Sequence, residues 1–254
     1  MAEQKKIYFA SDFHLGAPRG IQTRERERRV VDWLTYVSKD AEAIYLMGDI
    51  FDFWFEYKHA IPRGFSRLLG TLSAITDRGI EIHIFTGNHD MWMFDYLPEE
   101  CGVTIHRGIL KKEWQGKRFY LGHGDGLGPG DTKYKMLKWF FASRLCQWLF
   151  ARIHPNFGIG LAQSLSRYSR SAGREKDAQY LGDDKEWLMV YCREILQQEH
   201  HDFFIFGHRH MPLDKDLGQG SRYINLGEWI TQNHYAVWDG TELRLLPWQD
   251  AFSA

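Results

Sequence analysis

Cysteine and proline are scarce in this 254-residue chain, at three and seven residues. Cys101, Cys146 and Cys192 lie far apart, are odd in number and form no C-x-x-C, so neither a disulfide framework nor a thiolate metal cage is expected. A reducing compartment fits that cysteine usage. No run of about 20 apolar residues exists, so no transmembrane helix is expected. The longest apolar stretch, Trp139 to Phe150, carries Arg144 inside it. The polar segment Met1 to Lys6 runs straight into Ile7-Tyr8-Phe9-Ala10, without the features of a secretory signal peptide. Charge bias is also missing: 32 Lys and Arg against 33 Asp and Glu give −1, and nothing global announces a nucleic-acid partner. Internal repeats and low-complexity segments are absent. What is present is an ordinary globular composition, 44% hydrophobic and 26% charged, which excludes disordered and collagen-like chains. A chain this long buries roughly 75% of its extended surface and can build a core without staples. Twelve histidines stand against the three cysteines, so any metal would be held by nitrogen and oxygen.

Short apolar runs recur, each ending in polar residues. Ile7–Ala10 leads into Ser11-Asp12-Phe13-His14, Ala43–Met47 into Gly48-Asp49, and Ile80–Phe85 into Thr86-Gly87-Asn88-His89-Asp90. Phe119–Leu121 leads into Gly122-His123-Gly124-Asp125, and Phe203–Phe206 into Gly207-His208-Arg209-His210. Their length and their Ile, Tyr and Phe content predict buried strands. Thr23–Ser38 and Phe65–Thr76 carry apolar residues at helical spacing, and strand–helix–strand order predicts an α/β fold with right-handed crossovers. Tyr223–Leu226, Tyr235–Trp238 and Leu243–Leu246 read as a C-terminal antiparallel sheet.

Lys133 to Lys176 breaks this rhythm. It shows no strand pattern, has helical spacing through its aromatic residues, and holds nine Lys or Arg against one acid, Glu175. A balance of +8 there leaves the remaining residues at −9, so near-neutrality is a cancellation. Two readings stand. The segment is a pair of helices packed on the core, or a lid whose Trp, Phe and Leu side chains meet acyl chains while basic residues touch an anionic bilayer.

Ligands of α/β proteins sit at the carboxyl ends of strands, and here five such ends each deliver His, Asp or Asn. In extended chain Asp12 and His14 would point the same way, as would His208 and His210. The candidate metal ligands are Asp12, His14, Asp49, Asn88, His123, His208 and His210. Mixed nitrogen and oxygen donors suit manganese, iron or zinc better than calcium. Seven donors are too many for one tetrahedral ion, so two divalent ions about 3.5–4 Å apart, able to activate water against a phosphoryl group, are the economical reading. Asp125 either supports this site or closes its Gly-rich turn. Apart from these four histidines and His89, the other seven fall outside the pattern.

At these residues the chain resembles the calcineurin-like metallophosphoesterases, whose blocks D-x-H, G-D, G-N-H-[DE], a later H and G-H-x-H appear here in order. The resemblance implies a four-layer αββα sandwich in one domain over residues 1–254, with a helical lid at 133–176. It assigns Asp12, His14, Asp49 and His210 to one ion, and Asp49, Asn88, His123 and His208 to the other. It makes His89 a general acid or transition-state stabiliser, with Asp90 as the group that orients it. Within the superfamily, His123-Gly124-Asp125-Gly126-Leu127, Asp131, Tyr134, the aromatic helix pair, Ser169-Arg170 and Leu226-Gly227-Glu228-Trp229 resemble the UDP-2,3-diacylglucosamine diphosphatases (hydrolases) of lipid A biosynthesis. Proteobacterial members carry Arg where this chain has His89. The resemblance implies hydrolysis of a pyrophosphate to UMP and 2,3-diacylglucosamine 1-phosphate, usually with Mn²⁺. It further implies a lipid-linked nucleotide diphosphate as substrate, no nucleic-acid partner, and a cytoplasmic, peripheral position on the inner face of an anionic inner membrane. Asp131, Tyr134, Arg170 and Arg174 are the expected substrate contacts. Two alternatives remain: a phosphodiesterase or phosphatase for another substrate such as a nucleotide or nucleic acid, and a non-catalytic scaffold, which the full set of seven ligands disfavours.

Overall fold

The computed structural model describes residues 5–17, 21–130, 132–177, 180 and 182–249, without the side chains of Ile21, Lys133 and residues 167–177. Each apolar run becomes a strand: β1 Lys6–Ala10, β2 Ala41–Leu46, β3 Glu81–Phe85, β6 Lys117–Leu121 and β7 Phe203–Phe206. The helix patterns become α1 Ile21–Val37 and α2 Ser66–Thr76. Five elements carry weaker patterns: α3 Tyr96–Cys101, β4 Thr104–His106, β5 Leu110–Trp114, α7 Trp187–Leu196 and β8 Pro212–Gly218. The chain closes with β9 Ser221–Leu226, β10 His234–Trp238 and β11 Leu243–Pro247.

Two sheets result, one ordered β11-β10-β1-β2-β3-β4 and the other β5-β6-β7-β9-β8. Strands β1 to β4 pair in parallel, as do β6, β7 and β9, which aims their carboxyl ends at one edge of the sandwich. Alternation along each strand assigns its two faces. Ile7 and Phe9 face inward onto Phe119, Ile205 and Ile224, forming the core between the sheets. Tyr8 and Ala10 face outward onto Val30, Leu34, Leu68 and Leu72 of the helical layer on that side. On the other sheet Tyr120, Phe204 and Tyr223 meet Leu188, Met189 and Cys192 of α7. The order is therefore helix, sheet, sheet, helix.

One expectation fails. The three C-terminal strands do not form a single antiparallel sheet: β10 and β11 pair antiparallel with each other on the first sheet, whereas β9 pairs in parallel with β7 on the second. Hydrophobic pattern alone does not choose a strand's neighbour. β9 is buried on both faces, Ile224 and Leu226 toward the inter-sheet core and Tyr223 toward α7, so it fits an interior position.

The segment from 133 to 176 forms three helices, α4 Thr132–Ala142, α5 Arg144–Phe150 and α6 Pro155–Asp177. The Ser143 hydroxyl caps α5 by accepting from the Cys146 amide at 3.2 Å. Phe141, Phe150, Ile159 and Ala162 anchor these helices on Phe53, Phe55 and Trp92 of the sandwich. Among the described residues, ten of the twelve exposed large hydrophobic side chains lie between Met136 and Leu165, with Trp139 74% and Leu145 67% exposed. The segment is thus attached through one face and apolar on another. Among the described residues, no helix is long and apolar enough to cross a membrane.

A buried ion pair locks the α7 layer to the edge that carries the polar loops. Arg209 Nε donates to Glu186 Oε1 at 2.8 Å, and its Nη2 donates to Oε2 at 3.0 Å. Both side chains are fully buried, and the guanidinium sits 4.4 Å from the Trp187 ring centroid. Removing one partner strands the other charge away from water, which costs about 3–5 kcal/mol. Glu186→Ala should therefore lower the free energy of unfolding by that amount in chemical denaturation, while Glu186→Leu combined with Arg209→Met should recover most of it.

Candidate metal centre

The strand ends converge on a cluster of buried polar side chains. The connection after β1 does not stay extended: Asp12 and His14 have φ of 56° and 45°, and Asp49 and His208 have 52° and 68°. Left-handed turns, and not the continuing pleat expected from sequence, therefore aim these side chains. A non-glycine residue held there costs of order 1–3 kcal/mol and persists only when its surroundings fix it. Those surroundings are visible. The amides of Asp12, His14 and Leu15 donate to the carbonyls of Gly48, Asp49 and Ile50 at 2.9–3.0 Å, binding the loops after β1 and β2 edge to edge. Buried Arg26 of α1 donates to the carbonyls of Phe13, His14 and Ala17 from beneath.

The glycines of the motifs serve close approach. A Cβ at Gly87 would overlap the Asp49 carboxylate, one at Gly207 would overlap Ser11 Oγ and the Asp12 carboxylate, and one at Gly48 would overlap the His123 ring. These three positions hold the backbone of neighbouring loops against the ligand side chains themselves.

Two groups of donor atoms form around one carboxylate. On one side His14 Nε2 lies 3.1 Å from His210 Nε2, and Asp12 Oδ1 lies 3.6 and 3.3 Å from these two nitrogens. On the other, Asn88 Oδ1 lies 3.4 Å from His123 Nε2 and 3.1 Å from His208 Nδ1. Asp49 Oδ2 stands between, 3.9 Å from His14 Nε2 and 3.5 Å from His123 Nε2. All seven predicted ligands are therefore brought together. Donor atoms about 2.1 Å from a cation are separated by roughly 3.0–3.4 Å in octahedral or tetrahedral arrangements; four of the seven separations, 3.1–3.4 Å, fall in that range and the other three, 3.5–3.9 Å, lie above it. A second observation also fits cations: Asp12 Oδ1, fully buried, accepts no hydrogen bond, though a buried carboxylate oxygen is costly to leave unsatisfied.

The remaining polar contacts orient these donors. The His123 Nδ1–H donates to the Met47 carbonyl at 2.8 Å, which leaves Nε2 with its lone pair toward Asp49 and Asn88. Burial opposes charging His123, but the Asp49 carboxylate beside it prevails and raises it to about 10, so without metal a proton sits where a cation would. His208 is pushed down to about 4 by burial and by the charge on His123. Asp49 is held well below the usual carboxylate range, the histidines around it outweighing the cost of burial. Asp90 moves the other way, up to about 7, through burial and the neighbouring Asp49 charge.

Asp90 does not meet the His89 ring. Its carboxylate accepts from the amides of Ile50, Phe51 and Gly87 at 2.7–3.3 Å and ties the loop after β2 to the loop after β3. That is a correction: three convergent amides in a buried site satisfy the carboxylate. The His89 ring is instead set by its Nδ1, 3.2 Å from the Asp52 carbonyl and 2.9 Å from Ser166 Oγ, and Ser166 donates to Asp52 Oδ1 at 2.9 Å. The His89 amide donates to Asp49 Oδ1 at 2.9 Å, and its ring lies 5.0 Å from that of His14, nearly perpendicular.

Sequence reasoning missed Asp52 and Ser166. Asp52 follows Asp49 by three residues and could have been singled out, but Ser166 lies 77 positions from His89 and no pattern marks it. Asp125, which sequence left ambiguous, is buried, accepts from the Tyr134 hydroxyl at 2.8 Å and pairs with Lys138 Nζ at 2.6 Å. It joins α4 to the loop that carries His123. Of the expected substrate contacts, Tyr134 is thus engaged with Asp125, Asp131 lies outside the described residues, and Arg170 and Arg174 lie on α6 with side chains outside the description.

Comparison with known proteins gives the same chemistry a context. The family profile of calcineurin-like phosphoesterases matches residues 5–212. A UDP-2,3-diacylglucosamine hydrolase of Porphyromonas gingivalis is 40% identical over 259 residues, spanning 97% of this chain and 99% of its own. Hydrolases of that name from Aeromonas salmonicida and Shewanella pealeana are 27% and 25% identical, over 93% and 95% of this chain and 91% and 98% of theirs.

Histidine ligands bind metal only when neutral, so the raised His123 couples metal uptake to proton release. At pH 8 the metal-free imidazole is protonated, and loading should release about one proton from it. Affinity should fall as pH is lowered from 10, by up to tenfold per unit from this group. Titration calorimetry with Mn²⁺ in two buffers of different ionisation enthalpy reads the released proton directly. Equal heats in the two buffers would contradict this electrostatic picture.

Proposed function

The chain belongs to the calcineurin-like phosphoesterase family, and we propose from that premise that it hydrolyses the pyrophosphate bond of UDP-2,3-diacylglucosamine, giving UMP and 2,3-diacylglucosamine 1-phosphate. The observation that carries the reading is the doubled donor set around Asp49, in a chain that aligns end to end at 40% identity with a UDP-2,3-diacylglucosamine hydrolase. Asp12, His14, His210 and Asp49 would hold one divalent ion, and Asn88, His123, His208 and Asp49 would hold the other. Manganese is the expected metal. Ions held there supply the Lewis acidity that draws charge off phosphoryl oxygens.

The chain's own groups do the rest. Asp49, bound through Oδ1 by the His89 amide, keeps Oδ2 fixed between the two donor sets. The His89 Nδ1–H donates to the Asp52 carbonyl, which fixes the ring and leaves Nε2 to carry a proton to the leaving oxygen. His89 supplies a group that can give up its proton as well as hydrogen-bond. Asp52 and Ser166 position the ring, and since Ser166 belongs to α6, seating of the helical segment and alignment of His89 are linked. The exposed apolar face of α4 to α6 suits two acyl chains and, with its lysines and arginines, an anionic membrane surface. That arrangement agrees with a peripheral position on the inner face of the cytoplasmic membrane.

With Mn²⁺ and detergent-dispersed UDP-2,3-diacylglucosamine, the protein should release UMP. Vigorous hydrolysis of bis-p-nitrophenyl phosphate without UMP release would overturn the substrate assignment. Asp49→Ala and Asn88→Ala should abolish turnover. His89→Ala should lower kcat by about 10²–10⁴-fold, the usual range for a general acid. Ser166→Ala, losing one positioning hydrogen bond of about 0.5–1.5 kcal/mol, should lower kcat roughly 3–10-fold and leave metal content unchanged.

A further inference from the structure

A cleft of about 800 Å³ opens between α1, the start of α2 and α6, and four arginines line it: Arg24, Arg28, Arg63 and Arg67. Arg24 and Arg28 stand one turn apart on α1, Arg63 precedes α2, and Arg67 is the second residue of α2. Like charges at that spacing repel. Among the described residues none of the four side chains has a hydrogen-bond or ion-pair partner, although acids are plentiful elsewhere on the chain. The acid that lines the cleft, Glu27, is committed elsewhere: it is buried, and its Oε1 accepts from the amides of Arg67 and Leu68 at 3.1 and 3.3 Å. Four guanidinium forks with no protein acceptor, facing one concavity, form a site for a phosphate-bearing anion.

The cleft is more than a charged surface. Phe65 lines it from a left-handed backbone position, φ 63°, a strained conformation for an aromatic residue. Its ring is held by Phe51 at 4.9 Å and by close packing against Gly16. Asn156 and Gln163 of α6 add amide groups to the opposite wall. An aromatic ring, side-chain amides and arginines are the elements that recognise a nucleotide, and the volume falls within the usual range for such ligands.

Its walls are built from segments that also serve the metal centre. Gly16 follows His14 by two residues and lines the cleft, and Gln163 lies one helical turn before Ser166, which contacts His89. The exposed apolar residues of α6, Phe157, Leu161 and Leu165, are not among the cleft lining. One helix therefore separates a polar, cationic cleft from an apolar face.

We infer that this cleft takes the nucleoside monophosphate end of the substrate, arginine forks on its phosphate and the base against Phe65, and retains that end as product. The inference rests on the proposed hydrolysis of a nucleotide-diphosphate lipid. Binding of UMP to the Mn²⁺-loaded protein tests it separately from turnover. Replacing Arg63 and Arg67 together with Ala should weaken UMP at least about tenfold, and Arg24→Ala with Arg28→Ala should do the same, with the advantage of the wild type shrinking as salt rises. All four side chains are exposed and unpartnered, so the variants should keep the wild-type unfolding midpoint. In wild type, uridine and inorganic phosphate should each bind more weakly than UMP. In turnover of UDP-2,3-diacylglucosamine, the KM should rise in both variants. Unchanged UMP affinity in the variants would overturn the inference, as would inorganic phosphate binding as tightly as UMP. So would variants that lose only their affinity for phosphatidylglycerol vesicles, which would make the arginines a lipid-facing patch. A wild type that binds UMP through these arginines but releases none from the lipid substrate would leave the cleft standing and overturn the substrate assignment instead.

Discussion

A single buried carboxylate organises the centre. Asp49 sits at the end of β2 with one oxygen taken by the His89 amide and the other between His14 and His123. Burial alone would drive such a group to its neutral form, and the imidazoles on both sides reverse that preference. Every neighbouring loop is shaped around it. Gly87 has no side chain because Asp49 occupies that space, Asp90 gathers three amides to hold the loops after β2 and β3 together, and the backbone turns left-handed at Asp49 itself. Such a cluster is unfavourable in isolation. Positive charge, from protons or from metal ions, is what makes it stable.

The two-sheet sandwich supplies the rigidity that this requires. Parallel strands deliver His, Asp and Asn to one edge from both sheets, so each donor group draws on both halves of the fold. Asp12 is bound through one carboxylate oxygen by the His208 amide, joining the first sheet to the second across the centre. Arg209, between the two C-terminal histidines, points away from them into a buried pair with Glu186 at the start of α7. The strained φ values at four donor residues are maintained by this surrounding lattice of hydrogen bonds, which costs stability locally and gains preorganisation.

Much of this could be read from the chain, and the limits have physical causes. Strand ends and the polar residues gathered there were legible because burial on both faces makes parallel strands continuous apolar runs, and because the His, Asp and Asn residues at their ends break those runs abruptly. Strand partners were not legible: the patterns of β9 and β10 are alike, yet they belong to different sheets. Asp12 and His14 come together through left-handed turns and not through a continuing pleat, because local pattern does not encode such a turn at a non-glycine residue. Adjacency in sequence does not bring the Asp90 carboxylate to the His89 ring; Asp52 and Ser166, the latter distant in sequence, hold that ring. The basic, aromatic stretch was recognised as a helical insertion, but its division between an anchoring face, an apolar face and one wall of a cationic cleft depends on packing.

The central claim is that two metal ions share the Asp49 carboxylate. Electron paramagnetic resonance of the protein loaded with Mn²⁺, with metal content measured on the same sample, tests this most directly. The account predicts two ions per chain and a spin-coupled signal, with the coupling lost in Asp49→Ala. One ion per chain, or two with the six-line spectra of isolated Mn²⁺, would contradict it.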